Sequence, residues 1–483
     1  MIQKQELLDL AKDFGLQPNV VEKDYVLGWL LAGIGEHPAT RDTWVFKGGT
    51  CLKKCFFETY RFSEDLDFTL TDPAHLDQAF LRKLFEEVGE WVYDQTGLVL
   101  PPEARKFDVY TNPRGGTSAE GRVGYRGPLA RAGDAPRIKL DLTDHERLVL
   151  PIDRRNVHHP YSDLPATGIQ VSTYCFEEVF AEKVRALAER LRPRDLYDVV
   201  HLYRRKELNP DLPQLMHALR EKCAFKKIDV PDFASIQVSP LIAELQVSWA
   251  QMLAHQLPEL PPFDGFWVEL PAVFDWLHSR VEQPVMAALA VGVDTDTNWH
   301  IPAMASSWRN LGIGAPMEVI RFAAANRLCV QLDYRKESGE RTQPVIEPYS
   351  LRRTREGAYL LYGVKSDTGE DRSYRVDRIA GATVTQRSFT ARYLVELTET
   401  GVQPAPGVAR PATTANREVF RAPKPSGLKA KSSIAGGPKY TFRCTACGKT
   451  FTRATYDGTL NEHKNKQGNP CFGRFGSLVK TQY

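Results

Sequence analysis

Long hydrophobic runs are missing: nothing in the 483 residues approaches the roughly 20 consecutive apolar residues that span a bilayer. The opening MIQKQELLDLAKDFG mixes Lys, Glu and Asp with its apolar positions, which reads as an amphipathic helix and not as a signal peptide. The expected compartment is therefore the cytoplasm, with no membrane partner. Cysteine is sparse. Of the eight, Cys51, Cys55, Cys175, Cys223 and Cys329 are scattered and read as reduced core residues, which excludes a disulfide framework. No internal repeat and no convincing helix-turn-helix is present. Acidic residues nearly vanish from one region: Val402 to Tyr483 holds 14 Lys/Arg against 3 Asp/Glu, a local +11 that leaves the first 401 residues at −8. A basic tail on an acidic body points to a polyanion partner; a soluble linker is the plain alternative.

What is present divides the chain. Hydrophobic content of 42% with 25% charged residues is that of a globular protein, and the length calls for roughly three domains. Residues 1–282 alternate helical and strand patterns and end in a long helical stretch. Residues 283–312 form an irregular connection. Residues 313–396 open on a helix and continue in short alternating runs such as CVQLDYR and AYLLYGVK, the pattern of a small antiparallel β domain. Residues 397–437 are rich in Pro, Ala, Gly and Lys without periodicity and read as a flexible linker. Residues 438–483 form a separate small unit.

The chemistry concentrates in FKGGTCLKKCFFETYRFSEDLDFTL, Phe46 to Leu70. On a strand, Asp65 and Asp67 point to one face, and two like charges so close call for a cation. Asp141 lies in the alternating run IKLDL with Lys139 on its face. Three carboxylates suit Mg²⁺ or Mn²⁺ with nucleotide phosphates completing the shell. The Gly48-Gly49-Thr50 turn offers backbone N–H groups and a hydroxyl to phosphate oxygens, with Lys53, Arg61 and Ser63 nearby. Downstream, EEVFAEKVRALAERLRPRDLYDVVHL places Lys183 on a helix with one apolar side and is followed by Arg194, Asp195 and Asp198. Singly, each piece has a structural reading: a turn at Gly-Gly, a solvated Asp, a surface salt-bridge set at 194–198.

Together and in this order, FKGGTCLKK, RFSEDLDF, KLDL and FAEKVRALAERLRPRDLYDV, with VVEKDYVLGWLL ahead of them, resemble the nucleotidyl transferase AbiEii/AbiGii toxin family over about residues 15–280. The resemblance implies a polymerase-β-like nucleotidyltransferase core, a nucleoside triphosphate as donor, an RNA acceptor (tRNA for some members) and an antitoxin encoded nearby. It assigns Asp65 and Asp67 to the metal pair, Asp141 to the third acidic position, Lys183 to the essential lysine, Asp195 or Asp198 to the final acidic motif, and Ser63 to the serine of the RxSxDxD segment.

Two further patterns stand apart. VIEPYSLRRTREGAYLLYGVKSDTGEDRSYRVDRIAGATV resembles the WYL domain, an Sm-like β-barrel module that binds nucleic acid or small anionic ligands; Ala358-Tyr359-Leu360 stands at the signature triplet without its tryptophan. Arg352, Arg353, Arg375 and Arg378 offer a cationic surface, with Tyr359 either stacking on a ligand or filling the core. The tail spaces Cys444-x2-Cys447, then His463, then Cys471. Three thiols and an imidazole suit tetrahedral Zn²⁺, which a unit too small for its own core needs to fold.

The sequence thus describes an α+β chain: a nucleotidyltransferase core with a helical C-terminal part, a WYL-like β-barrel and a structural zinc module. The expected activity is Mg²⁺-dependent nucleotide transfer to RNA. Transfer to a protein, and a ligand-sensing nucleic-acid-binding regulator with an inactive core, remain as alternatives; retention of all the carboxylates favours an enzyme.

Overall fold

The computed structural model describes residues 1–57, 60–111, 115–130, 133–205, 210–279, 286–289, 295–296, 314–398, 439–453, 460–461, 463–465, 467–471 and 476–482. Most of the connection expected at 283–312 and of the linker expected at 397–437 lies outside them. The chain forms two compact units, Met1–Pro406 and Gly407–Tyr483. No helix among the described residues is long and apolar enough to cross a membrane.

Two helices open the first unit. In α1 (Lys4–Phe14), Leu7, Leu10 and Ala11 recur at helical spacing and are buried, and Gly15, at φ +65°, closes the helix with its N–H on the Ala11 and Lys12 carbonyls. Pro18 occupies the first turn of α2 (Pro18–Glu36), where its missing N–H costs nothing. Almost all of α2 is interior, so close neighbours demand small residues: a Cβ on Gly35 would sit 2.2 Å from the Gln170 carbonyl.

A seven-stranded mixed sheet follows: β1 (Trp44–Lys47), β2 (Asp65–Leu70), β3 (Arg105–Thr111), β4 (Thr117–Gly124), β5 (Arg137–Thr143), β6 (Asp153–Asn156) and β7 (Gln170–Thr173), in the order β3-β4-β5-β2-β1-β7-β6. Strand β2 is central, antiparallel to β1 and parallel to β5. Period two divides its side chains cleanly. Leu66, Phe68 and Leu70 are buried with Trp44 and Phe46 of β1 and Ile138, Leu140 and Leu142 of β5, under Phe85 of α4 (Gln78–Thr96). The opposite face carries Asp65 and Asp67.

Between β1 and β2 the helical segment is short and irregular. One turn, α3 (Gly48–Cys51), runs into a wider π turn over Leu52–Phe56, a distortion found mostly at functional positions. It turns Lys54 inward, where Nζ meets Asp24 Oδ2 at 2.6 Å and the Asp24 carbonyl at 3.0 Å, with both side chains nearly inaccessible. Tyr161 donates to the same carboxylate at 2.9 Å.

The helical part is built on α5 (Phe176–Arg190), α6 (Pro193–Arg204) and α7 (Leu212–Lys226). Residues 314–398 then form a helix, Gly314–Ala325, laid on an antiparallel sheet of β8 (Leu328–Arg335), β9 (Arg341–Thr342), β10 (Val345–Arg353), β11 (Tyr359–Lys365), β12 (Asp371–Arg375) and β13 (Ile379–Ser388). Its order is β12-β11-β10-β8-β13, with no pairing between β12 and β13 among the described residues. One hydrophobic core runs through this module and the preceding elements. Polar links reinforce it. Asn326 Oδ1 accepts from Tyr197 Oη at 3.0 Å and lies 3.4 Å from His201 Nε2, while Arg204 donates to the Ala325 carbonyl at 3.0 Å. All three partners belong to α6.

The second unit is small. β14 (Lys439–Cys444) lies between β15 (Thr450–Arg453) and β18 (Gly476–Gln482), and β16 (His463–Lys464) pairs with β17 (Pro470–Cys471).

Removing one member of a buried ion pair strands the other, so Asp24→Ala should cost about 3–5 kcal/mol. Adding Lys54→Met to it should recover most of that loss. Denaturant unfolding of the two variants checks this, and a double variant no more stable than the single would contradict it.

Candidate active site

Register places the sequence-predicted carboxylates together. Asp67 of β2 stands directly beside Asp141 of β5, and Asp65 beside Lys139. The next strand adds a residue that the sequence reading missed: Glu120 of β4 stands opposite Asp141. Lys139 bridges this side, its Nζ 2.9 Å from Asp141 and 3.5 Å from Glu120. On the far side, Lys47 of β1 stands opposite Asp67. A lone Glu in an alternating strand carries no sequence signal; only the sheet order brings it here.

The glycines serve close approach. Gly48 has φ +80°, and a Cβ there would lie 2.1 Å from Asp67 Oδ2. A Cβ on Gly49 would lie 2.5 Å from an Arg61 η-nitrogen and 3.1 Å from Ser63 Oγ. Thr50 Oγ1 donates to the Asp65 carbonyl at 2.5 Å, which ties the turn to the start of β2. Gly48, Gly49, Thr50 and Ser63 therefore do lie at the carboxylate edge.

Behind them sits a fully buried charge cluster. Asp198 accepts both Nε and Nη2 of Arg61, at 2.8 and 2.9 Å, and Lys183 Nζ at 2.7 Å. Tyr60 Oη donates to it as well, and Gln256 takes the remaining arm of Arg61 at 3.0 Å. Asp198 thus holds Lys183 in place, and Arg61, expected at the nucleotide, is engaged by Asp198. Asp195 is also buried and is gripped by Arg190 through two bonds of 2.7 and 2.8 Å. Lys53 lines a cavity with Phe14, Phe62, Phe322 and Asp24, its ammonium 4.6 Å from the Phe62 ring centre.

The acidic face fits a cation. Burial pushes the Asp67 carboxyl up, the neighbouring Asp141 adds to this, and the opposing Lys47 and Lys183 leave it at about 6. Burial also raises Asp65 against the pull of Lys139. Negative charge on this face is thus incompletely compensated, and Asp65, Asp67 and Asp141 are the oxygen donors that would hold a divalent ion.

In the WYL-like module, Arg375 pairs with Asp377 at 2.7 Å and Arg378 with Glu337 at 3.6 Å. Arg352 pairs with Glu396. Tyr359 is half-buried against the core, and the Arg353 Nε is buried without a hydrogen-bond partner.

In the tail, donor atoms of Cys444, Cys447, His463 and Cys471 all lie within 4.8 Å of one another. Among the described residues this is the one Cys/His/acidic group already gathered so tightly; in the active face, Asp141 is turned onto Lys139 instead. Gly448, at φ +70°, lets the chain fold back, with its N–H on the Cys444 carbonyl at 2.9 Å. His463 Nδ1 lies 2.9 Å from the Asn461 carbonyl. Donating there leaves Nε2 as a lone pair 3.3 Å from Cys447 Sγ. Burial pushes the Cys444 thiol up, but the backbone N–H groups of Cys447 and Ala446 bring it down to about 6, toward the thiolate that binds metal.

The sign of the pH effect follows from Asp67. Its raised value means the folded state holds the proton more tightly, so its contribution is full below the unfolded value and lost as pH rises through about 6. Metal-free Asp67→Asn should therefore gain stability over the parent, by about 2–3 kcal/mol, as pH climbs from about 4 to about 7. Saturating Mn²⁺ should remove that advantage. Melting temperatures across pH check this; a pH-independent difference would contradict it.

Residues 29–279, more than half of the chain, match the model of the nucleotidyl transferase AbiEii toxin family, type IV toxin–antitoxin system. Residues 316–384 match the WYL domain. No curated protein matches. Solved structures similar to this chain include MenT4, nucleotidyltransferase toxin Rv2826c from Mycobacterium tuberculosis H37Rv. It shows 18% identity over 58% of this chain and 90% of that one, with a TM-score of 0.37. Proteasome accessory factor B/C of Arthrobacter aurescens shows 15% identity over 49% of this chain and 33% of that one, with a TM-score of 0.14. With its glycine turn, paired aspartates and buried lysine–aspartate cluster in place along the matched region, the chain belongs to the nucleotidyl transferase AbiEii toxin family.

Proposed function

We propose that this nucleotidyltransferase uses Mg²⁺ to move a nucleotide from a triphosphate onto RNA, with tRNA as the first acceptor to test. The single observation that carries the reading is the register that sets Asp67 beside Asp141, with Asp65 on the same face. An RNA hydroxyl would attack the α-phosphorus, the α–β phosphoanhydride bond would break and pyrophosphate would leave; a divalent ion held there would neutralise the phosphates and lower the charge barrier to that attack. Gly48 and Gly49 keep the backbone close to that edge without side chains, so N–H groups, Thr50 and Ser63 are at hand for phosphate oxygens. Lys183 stands beside the site, fixed by Asp198, where a pre-oriented ammonium stabilises negative charge that develops on transfer. Asp198 and Arg61 act as positioning residues: neither is accessible, and each constrains the other. The basic composition of residues 402–483 supports a polyanionic acceptor, and the family's toxin–antitoxin setting supports an antitoxin partner. The WYL-like module, with Arg352, Arg353 and Arg375 on one small sheet, would take an anionic ligand and regulate the transferase.

The tail module is proposed to hold structural Zn²⁺ through Cys444, Cys447, His463 and Cys471. Purified protein should contain one equivalent of zinc per chain, and Cys444→Ser and Cys471→Ser should lose it. Protease resistance of the tail should fall with it, because metal binding replaces a core that this unit lacks. Metal analysis showing no zinc would end this assignment.

The transferase reading is tested with purified protein, total tRNA, Mg²⁺ and each labelled nucleoside triphosphate in turn. One nucleotide should label RNA. Asp65→Ala should abolish the signal, and Lys183→Ala should reduce it by about a hundredfold or more. Label on protein instead would overturn the acceptor, and label on neither would overturn the activity.

A further inference from the structure

The basic side chains around the carboxylate face are nearly all matched to a carboxylate. Lys23 meets Glu64 at 2.6 Å, Lys139 meets Asp141, Arg61 and Lys183 share Asp198, and Arg190 holds Asp195. Lys47 stands opposite Asp67 in the sheet. Arg194 differs. It is half-buried, yet among the described residues no carboxylate lies within ion-pairing distance of its guanidinium. Its hydrogen bond is a long one, from Nε to the Met252 carbonyl at 3.4 Å.

Its position makes that lack costly. Arg194 lies in the first turn of α6, where the helix dipole repels a cation, and the one acidic side chain of that turn, Asp195, is taken by Arg190. One turn later on the same side of the helix is Asp198, which points to Arg61 and Lys183. Arg194 therefore stands one helical turn from Asp198, whose partner Arg61 lies beside Gly49 and Ser63. Burial and the Arg61 charge push the Arg194 guanidinium down, while Asp65, Asp198 and Glu64 partly offset this. A planar five-donor group held against a helix dipole without a counterion is suited to an arriving anion.

We propose that Arg194 binds a phosphate of the incoming nucleoside triphosphate as a catalytic residue of the transfer. This rests on the transferase reading and adds to it the group that receives the triphosphate. A phosphate of the acceptor RNA has the same chemistry, and the experiment separates the two sources.

The full-length protein is titrated calorimetrically with inorganic tripolyphosphate and Mg²⁺, and labelling kinetics are measured with the triphosphate that labels RNA and with tRNA varied separately. Arg194→Ala should weaken tripolyphosphate binding and raise the triphosphate KM by about 10- to 100-fold, with the tRNA KM and the melting temperature unchanged. Arg194→Lys should keep part of the affinity, since charge is retained and the bidentate fork is lost. Wild-type labelling with an Arg194→Ala variant of equal tripolyphosphate affinity would overturn this proposal alone. An effect confined to the tRNA KM would overturn it in favour of the acceptor backbone. Absence of both labelling and tripolyphosphate binding in the wild type would overturn the transferase reading with it.

Discussion

A single buried carboxylate, Asp198, organises the transferase half. It receives Tyr60 and its neighbour Arg61 from the segment before β2 and Lys183 from α5, while itself belonging to α6. Isolated, such a charge would be prohibitive in the interior; with two cations and a phenol it becomes a junction between elements distant in sequence. The cost of burial is met only if all partners arrive together. The geometry of the lysine beside the active face is consequently a property of the folded whole.

The glycine turn obeys the same logic of crowding. Asp67 and Arg61 each press against a glycine where a methyl group would collide, so acidic edge and cationic cluster meet the backbone of one short turn from two sides. The π turn that follows lets Lys54 reach Asp24, anchoring the turn to α2 from behind. A site of like charges stays in place because its surroundings are tied down by opposite ones.

Much of this was legible in the chain itself. Period two placed Asp65 and Asp67 on one face, and the run IKLDL offered Asp141 with Lys139, both of which the sheet register brings alongside. The Cys and His spacing of the tail likewise matches a gathered cluster. Other features had no local signal. Whether a basic residue faces a ligand or a carboxylate depends on a partner far away: Arg61 meets an acid 137 positions on, which no motif announces. Glu120 enters the site only through strand order. The contacts of Asn326 with Tyr197 and His201 had no local signal either, since they join residues 129 and 125 positions apart.

That last link makes α6 a shared beam. It carries Asp198 towards the transferase cluster, and its buried Tyr197, His201 and Arg204 end on Asn326 and Ala325. An excised transferase ending near residue 282 would deprive those three groups of Asn326 and Ala325 and open the common core along one side. What composition marks as a border is, for this chain, crossed by one continuous hydrophobic core within a single compact unit, Met1–Pro406.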